Sequence, residues 1–191
     1  MKKVGLTGNI GSGKTTISHI FQILGIPIFN ADNEAKSLMH KHTLMNQIID
    51  CFGSNTYKKG QLDKKYLSQI VFSDRNNLNL LNRLVHPHVN THFENWCKSQ
   101  NAPYIIKEAA IIFESDTHKA LDTIICVTCP KHVRIKRILE RDNTLNSNDI
   151  EQRMNQQWDE KKLVDLSNYM IDNSGRSLLI PQVIELHNTL K

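Results

Sequence analysis

Apolar positions change period several times along the chain, and each change marks an element. Residues 3–7 form a short apolar run before a glycine and read as a strand. In residues 14–24, Ile17, Ile20, Phe21 and Leu24 recur at helical spacing, and Gly25 stops the helix. A second strand is predicted at 27–30. Residues 35–52 read as helical, in one or two pieces, and 53–60 as polar turns. Helices are predicted at 62–72 and 74–84. Pro87 is placed at the start of a further helix reaching 99, because a first helical turn needs no proline N–H. After the break at Ala102-Pro103, a third strand lies within 104–112 and a fourth at 123–128. Pro130 opens a basic helix, 133–141, followed by a polar loop, 142–148. Asn148 with Glu151 has capping-box spacing for a helix reaching 158. A short helix at 159–166, a fifth strand at 169–172 and a final helix at 176–190 complete the pattern.

Short strands separated by helices predict an α/β fold, a parallel sheet covered on both faces. Ligands of such sheets bind beyond the carboxyl ends of the strands. That rule puts Gly8, Asp32 and the loops after the third to fifth strands on one functional edge. With 191 residues and no repeat, low-complexity tract or linker, the chain reads as one domain, 1–191.

The sharpest chemical signal is Gly8-Asn9-Ile10-Gly11-Ser12-Gly13-Lys14-Thr15, which satisfies G-x-x-x-x-G-K-[ST] between a predicted strand and a predicted helix. Glycines let the backbone wrap phosphates with its N–H groups inward, and the helix N-terminus adds partial positive charge. The loop through Thr16 is therefore expected to bind ATP, with Gly11, Ser12, Gly13, Lys14, Thr15 and Thr16 on the phosphates. Lys14 is expected at the β- and γ-phosphates, and the Thr15 hydroxyl on Mg2+. A regulatory GTPase would need N-K-x-D after a later strand, and the chain has none. Asp172-Asn173-Ser174-Gly175 matches D-x-x-G but lies too far along for a switch carboxylate. An ATP-dependent small-molecule kinase fits better.

Asp32 ends the second predicted strand. From position alone two readings are about even: Asp32 accepts a hydroxyl proton or holds magnesium through water, or Asp32 or Asn33 caps the helix near 35. Arg134, Arg137 and Arg141 fall on one helix face. Beside a P-loop, Arg137 and Arg141 read as charge stabilisers of a lid; without one, the face would be solvated surface. His88 and His92 are a turn apart but lack a third metal ligand and read as surface or capping residues.

Charge and composition narrow the partners. The net charge of +5 and pI near 9.0 favour an anionic partner, nucleotide or nucleic acid. Aromatic content is 6%, and no nucleic-acid recognition motif is present, so no nucleic-acid partner is expected. No apolar run approaches the ~20 residues of a membrane span, and Met1-Lys2-Lys3 leads into the glycine loop rather than an apolar leader. A cytoplasmic protein with no membrane partner, and a monomer, is expected. Cys126 and Cys129 form a CxxC within an apolar strand and read as buried thiols rather than a zinc or redox pair.

Across nearly its whole length the sequence resembles the dephospho-coenzyme A kinase family. The landmarks, in order, are Gly5–Thr16, Ala31-Asp32, Phe52-Gly53, Gly60-Gln61-Leu62-Asp63, Val71-Phe72 and His86-Pro87, then Phe113-Glu114, Arg137 with Arg141-Asp142, Gln157 and Ile171-Asp172-Asn173. The resemblance implies a three-layer P-loop NTPase core with a five-stranded parallel sheet, a helical substrate-binding insertion at about 33–101 and a lid at about 130–158. It implies ATP and dephospho-CoA as substrates, and phosphorylation of the 3′-hydroxyl of the dephospho-CoA ribose as the last step of coenzyme A biosynthesis. It makes Asp32 the catalytic base, Lys14, Arg137 and Arg141 catalytic, and His86 a substrate contact, with Asn173 and Gly175 near the adenine. The chain departs from the family pattern at Asn30, often Asp, at Ala110-Ile111-Ile112, usually Pro-Leu-Leu, and at Asn9, commonly Gly. The alternatives are another P-loop kinase, acting on a nucleoside monophosphate or sugar acid, and an ATP-dependent binding switch.

Overall fold

A computed structural model of the chain describes residues 1–142 and 147–191, with positions 72, 147 and 148 as backbone only. The first elements are β1 (Lys2–Thr7), α1 (Lys14–Ile23), β2 (Ile28–Asn30), α2 (Ala31–Leu38) and α3 (His42–Phe52). Next come β3 (Tyr57–Lys58), β4 (Gln61–Leu62), α4 (Lys64–Ser73), α5 (Arg75–Lys98) and β5 (Tyr104–Glu108). The last are β6 (Thr123–Thr128), α6 (Lys131–Arg141), α7 (Ser147–Asn155), α8 (Glu160–Asp165), β7 (Tyr169–Asp172) and α9 (Leu179–Leu190). They fall into two compact units, Met1–Asn30 with Gln100–Lys191, and Ala31–Ser99.

The first unit is built on a five-stranded parallel sheet in the order β2-β5-β1-β6-β7. The central strands are apolar almost throughout because both their faces are covered. Val4, Leu6, Ile106, Ile125 and Val127 pack with Ile17 and Phe21 of α1 and Val183 and Leu190 of α9. Each such side chain contributes about 1.5–3 kcal/mol by leaving water. The chain leaves β1 toward β2 on one side and later builds β6 and β7 on the other. The loop after β1 therefore sits at a topological switch point, where ligands of open α/β sheets bind.

The second unit is helical, with one small antiparallel hairpin, β3–β4. Asp63 caps α4 by accepting from the Tyr66 amide at 3.0 Å, and Asp74 caps α5 by accepting from the Asn76 amide at 2.8 Å. The predicted helix break before Pro87 is not observed. One helix of 24 residues, α5, runs through it. Leu81, Val85, Val89, Phe93 and Cys97 are buried at intervals of four across the proline, so the packed stripe outweighs the lost hydrogen bond. The polar stretch 53–60 holds a short 3-10 turn, Ser54–Thr56, and most of the hairpin.

Two other boundaries move. Helix α2 begins at Ala31, so Asp32 and Asn33 lie inside its first turn and do not cap a helix starting near 35. Helix α9 begins at Leu179, after a turn in which Asp172 accepts from the Ser174 amide at 2.8 Å and the Ser174 hydroxyl at 2.9 Å. Of the predicted loop 142–148, residues 143–146 lie outside the described residues, as does the Asn148 side chain on which the capping-box reading rests. Among the described residues, no helix is long and apolar enough to cross a membrane.

Candidate active site

The site grows from the loop after β1. Gly8, with φ +144°, brings its Cα so close to β6 that an added Cβ would lie 2.4 Å from the Val127 carbonyl oxygen. Gly13, with φ +95°, leaves room for the Asn173 amide, only 2.1 Å from where a Cβ would stand. Neither position accepts a side chain. That amide, from the end of β7, donates to the Ser12 carbonyl at 2.7 Å, while the Asn173 backbone N–H bonds to Thr128 at 2.9 Å. Among the described residues the fully buried Ser12 hydroxyl has no hydrogen-bond partner, a group suited to a phosphate oxygen. The buried Lys14 ammonium curls back over the loop, donating to the Gly8 carbonyl at 2.7 Å and to Asn9 at 3.5 Å.

Glu108, at the carboxyl end of β5, is a candidate site residue that sequence reasoning did not single out. It is buried, and three donors satisfy it: the Thr15 hydroxyl at 2.9 Å, the Ser18 hydroxyl at 2.8 Å and the Asn30 amide at 3.0 Å. A buried carboxylate needs such partners. Two of them come from the first turns of α1, the third from β2. The signal in the sequence was a carboxylate inside the apolar run 104–112. The same geometry explains Asn30. An amide donates to Glu108 where an aspartate would set one carboxylate against another.

The arginines of α6 divide. Arg134 is buried and structural: its Nε donates to the Cys129 carbonyl at 2.9 Å. Arg137 is half-buried, donating to Asn173 O at 3.2 Å and to Cys129 Sγ at 3.3 Å. Arg141 is exposed at the end of α6. The structure thus brings Ser12, Gly13, Asn173 and Arg137 together. The Asp172 carboxylate is engaged by Ser174, and Gly175, with φ +92°, is exposed beside it. Thr15 and Thr16 are exposed at the start of α1.

Asp32 and His86 belong to the helical unit. Asp32 is exposed in the first turn of α2, where the helix N-terminus favours its charge. His86 is half-buried in α5, next to Val85 of the buried stripe. His92 Nε2 meets Glu34 at 3.1 Å and His88 Nε2 meets Gln47 at 3.3 Å. Cys97, Cys126 and Cys129 are buried cysteines outside any disulfide, and Cys51 is an exposed one. Burial pushes the Cys126 thiol up to about 12, with the charge of Glu160 adding to it. Burial also raises Cys129, against the opposing charges of Arg137 and Arg134.

A family model described as "CoaE: Dephospho-CoA kinase" matches residues 2–178. A relative from Bacteroides fragilis named dephospho-CoA kinase is 32% identical over 186 residues, covering 96% of this chain and 90% of that one. The crystal structure titled TT1252 from Thermus thermophilus superposes with a TM-score of 0.87 at 24% identity, covering 98% of this chain and 96% of that one. A dephospho-CoA kinase from Campylobacter jejuni gives 0.69 at 24% identity, covering 100% and 98%. The parallel order of the five strands, the phosphate loop at the switch point and a family match over nearly the whole length agree, and the chain belongs to the dephospho-CoA kinase family.

Proposed function

We propose that this protein transfers the γ-phosphoryl group of ATP to the 3′-hydroxyl of the dephospho-CoA ribose. The observation that carries the reading is the phosphate loop after β1, with Lys14, the Glu108–Thr15 pair and the Arg137–Asn173 pair around it. The backbone amides of 11–15 and the Lys14 ammonium hold the β- and γ-phosphates. To do so, Lys14 exchanges the Gly8 carbonyl for phosphate oxygens. Arg137 and Arg141 stabilise charge on the transferring group, and Asn173 and Gly175 border the nucleotide. Asp32 takes the proton of the attacking hydroxyl, and His86 holds the acceptor.

Mg2+ suits the donor set. Thr15 gives its proton to Glu108, so its oxygen lone pairs remain for a cation, and the Glu108 carboxylate lies next to it. Thr15 would hold the ion directly and Glu108 would orient Thr15. The bound ion would neutralise charge on the phosphate oxygens. The protein acts as a cytoplasmic monomer on the two small molecules.

The test is ADP release by purified protein with ATP and Mg2+, comparing dephospho-CoA with AMP, shikimate and gluconate as acceptors. Acceptor-dependent release with dephospho-CoA alone supports the reading. Release with another acceptor, or none with any, overturns it.

A further inference from the structure

We infer that Gln157 is a positioning residue of the phosphate loop, fixing from the end of α7 the peptide plane between Asn9 and Ile10. Its Oε1 accepts from the Ile10 amide at 2.7 Å, and its Nε2 donates to the Ala110 carbonyl at 3.2 Å. Only this orientation of the side-chain amide satisfies both partners; the flipped one would face N–H against N–H and carbonyl against carbonyl.

The carbonyl of the same peptide is held from the other side. Asn9 O accepts from the Ser12 amide at 3.1 Å and from the Lys14 ammonium at 3.5 Å. A trans peptide carries its N–H and C=O on opposite edges, so the two sets of bonds together pin the plane. Without Gln157 the plane can rotate, and its rotation carries Asn9 O away from Ser12 N and Lys14 Nζ. Ser12 and Lys14 are the phosphate-facing part of the loop.

The anchor is itself rigid. The next residue, Trp158, accepts from Asn9 Nδ2 at 2.9 Å through its carbonyl and donates its amide to Glu114 Oε1 at 2.9 Å. Its ring lies parallel to that of Phe113, with centroids 6.4 Å apart, and the Lys162 ammonium sits 3.2 Å above it. On the Ile10 side, the side chain packs against Ile138, Ile150 and Met154 of α6 and α7. Gln157 and Trp158 thus join the phosphate loop to the segment after β5, while Ile10 rests on α6, the helix that carries Arg137, and on α7.

The inference rests on the loop binding nucleotide phosphates, and its test uses no acceptor. Gln157→Met keeps the length and the apolar stem but removes both hydrogen bonds. Calorimetric titration with ADP and with AMP should show ADP affinity lowered about tenfold, the worth of a hydrogen bond to a loop of this kind. AMP, which lacks the β-phosphate, should change by less than twofold. Unchanged ADP affinity, or equal weakening of both ligands, would overturn the assignment. If the variant does not fold, the wild-type protein still decides. Its Ile10 amide should exchange with solvent far more slowly than an exposed loop amide, and fast exchange would show that the bond is not made. A protein that binds ADP in this way yet fails to phosphorylate dephospho-CoA would leave Gln157 in place and remove only the acceptor assignment.

Discussion

The phosphate loop and the start of α2 carry the two halves of the proposed chemistry and are built differently. In the first unit, Ser12, Lys14, Glu108 and Asn173 are all buried, and Arg137 is bonded to Asn173. In the helical unit, Asp32 is exposed on a first helical turn, two residues after β2 ends. A polyphosphate grip benefits from donors fixed before the ligand arrives, because preorganised dipoles need no rearrangement during reaction. A general base has a different requirement: it must stay accessible to a proton on the substrate and keep its charge. The contrast teaches that the proposed ATP grip is built from buried, mutually bonded groups of the sheet unit, whereas the proposed base is an exposed carboxylate on a helix.

Breaking the rigid side should have the largest effect. Lys14→Ala removes the one ammonium held inside the loop and should cut turnover by about 10³-fold or more, with the melting temperature nearly unchanged. Steady-state rates beside thermal melts check this, and near-wild-type turnover would remove Lys14 from the site. Arg137→Ala should lower kcat by about 10²-fold and ATP affinity much less, since a transition-state contact acts on kcat. Equal weakening of both would make it a ground-state contact. Asn173→Ala should cost about tenfold in kcat/KM for ATP, because the Ser12 carbonyl loses its amide donor and Arg137 loses Asn173 Oδ1 at 3.4 Å, keeping only the backbone carbonyl. An unchanged value would make its contacts incidental.

The smallest effect concerns the core beneath the site. The Tyr104 hydroxyl and His187 Nδ1 share a buried hydrogen bond at 2.7 Å, and burial, aided by the charge of Lys191, lowers the histidine's pKa. The folded state therefore disfavours the proton that the unfolded chain accepts near pH 6.5. This contribution is complete above that pH and is lost as pH falls through the lower folded value. Wild-type melting temperature should drop between pH 7 and pH 5, and His187→Gln should shrink the drop. An equal drop in both proteins would contradict the assignment.

What could be read from the sequence was local. The strands 123–128 and 169–172 appear at their predicted positions, because apolar runs bounded by turn residues leave few alternatives. The loop Gly8–Thr15 was legible for the same reason, since its glycines and lysine are consecutive. What was missed depends on distance along the chain. Glu108 meets Thr15 across 93 positions, and Gln157 meets Ile10 across 147. No spacing rule reports such pairs, and a resemblance marks Gln157 without saying what it touches. Pro87 misled because local propensity argues for a break, while the buried stripe of α5, set by packing, runs straight through.

The proposed assignment of the base to Asp32 and of the phosphate grip to the loop is tested most directly on Asp32→Asn. The amide keeps the size but cannot take a proton. Acceptor-dependent ADP release should fall by about 10²–10⁴-fold, the usual worth of a general base. ATP affinity, measured by calorimetry on the same preparation, should stay within twofold, because the phosphates are held by the loop and Lys14 in the other unit. Undiminished turnover, or a loss of ATP affinity matching the loss of rate, would contradict the account.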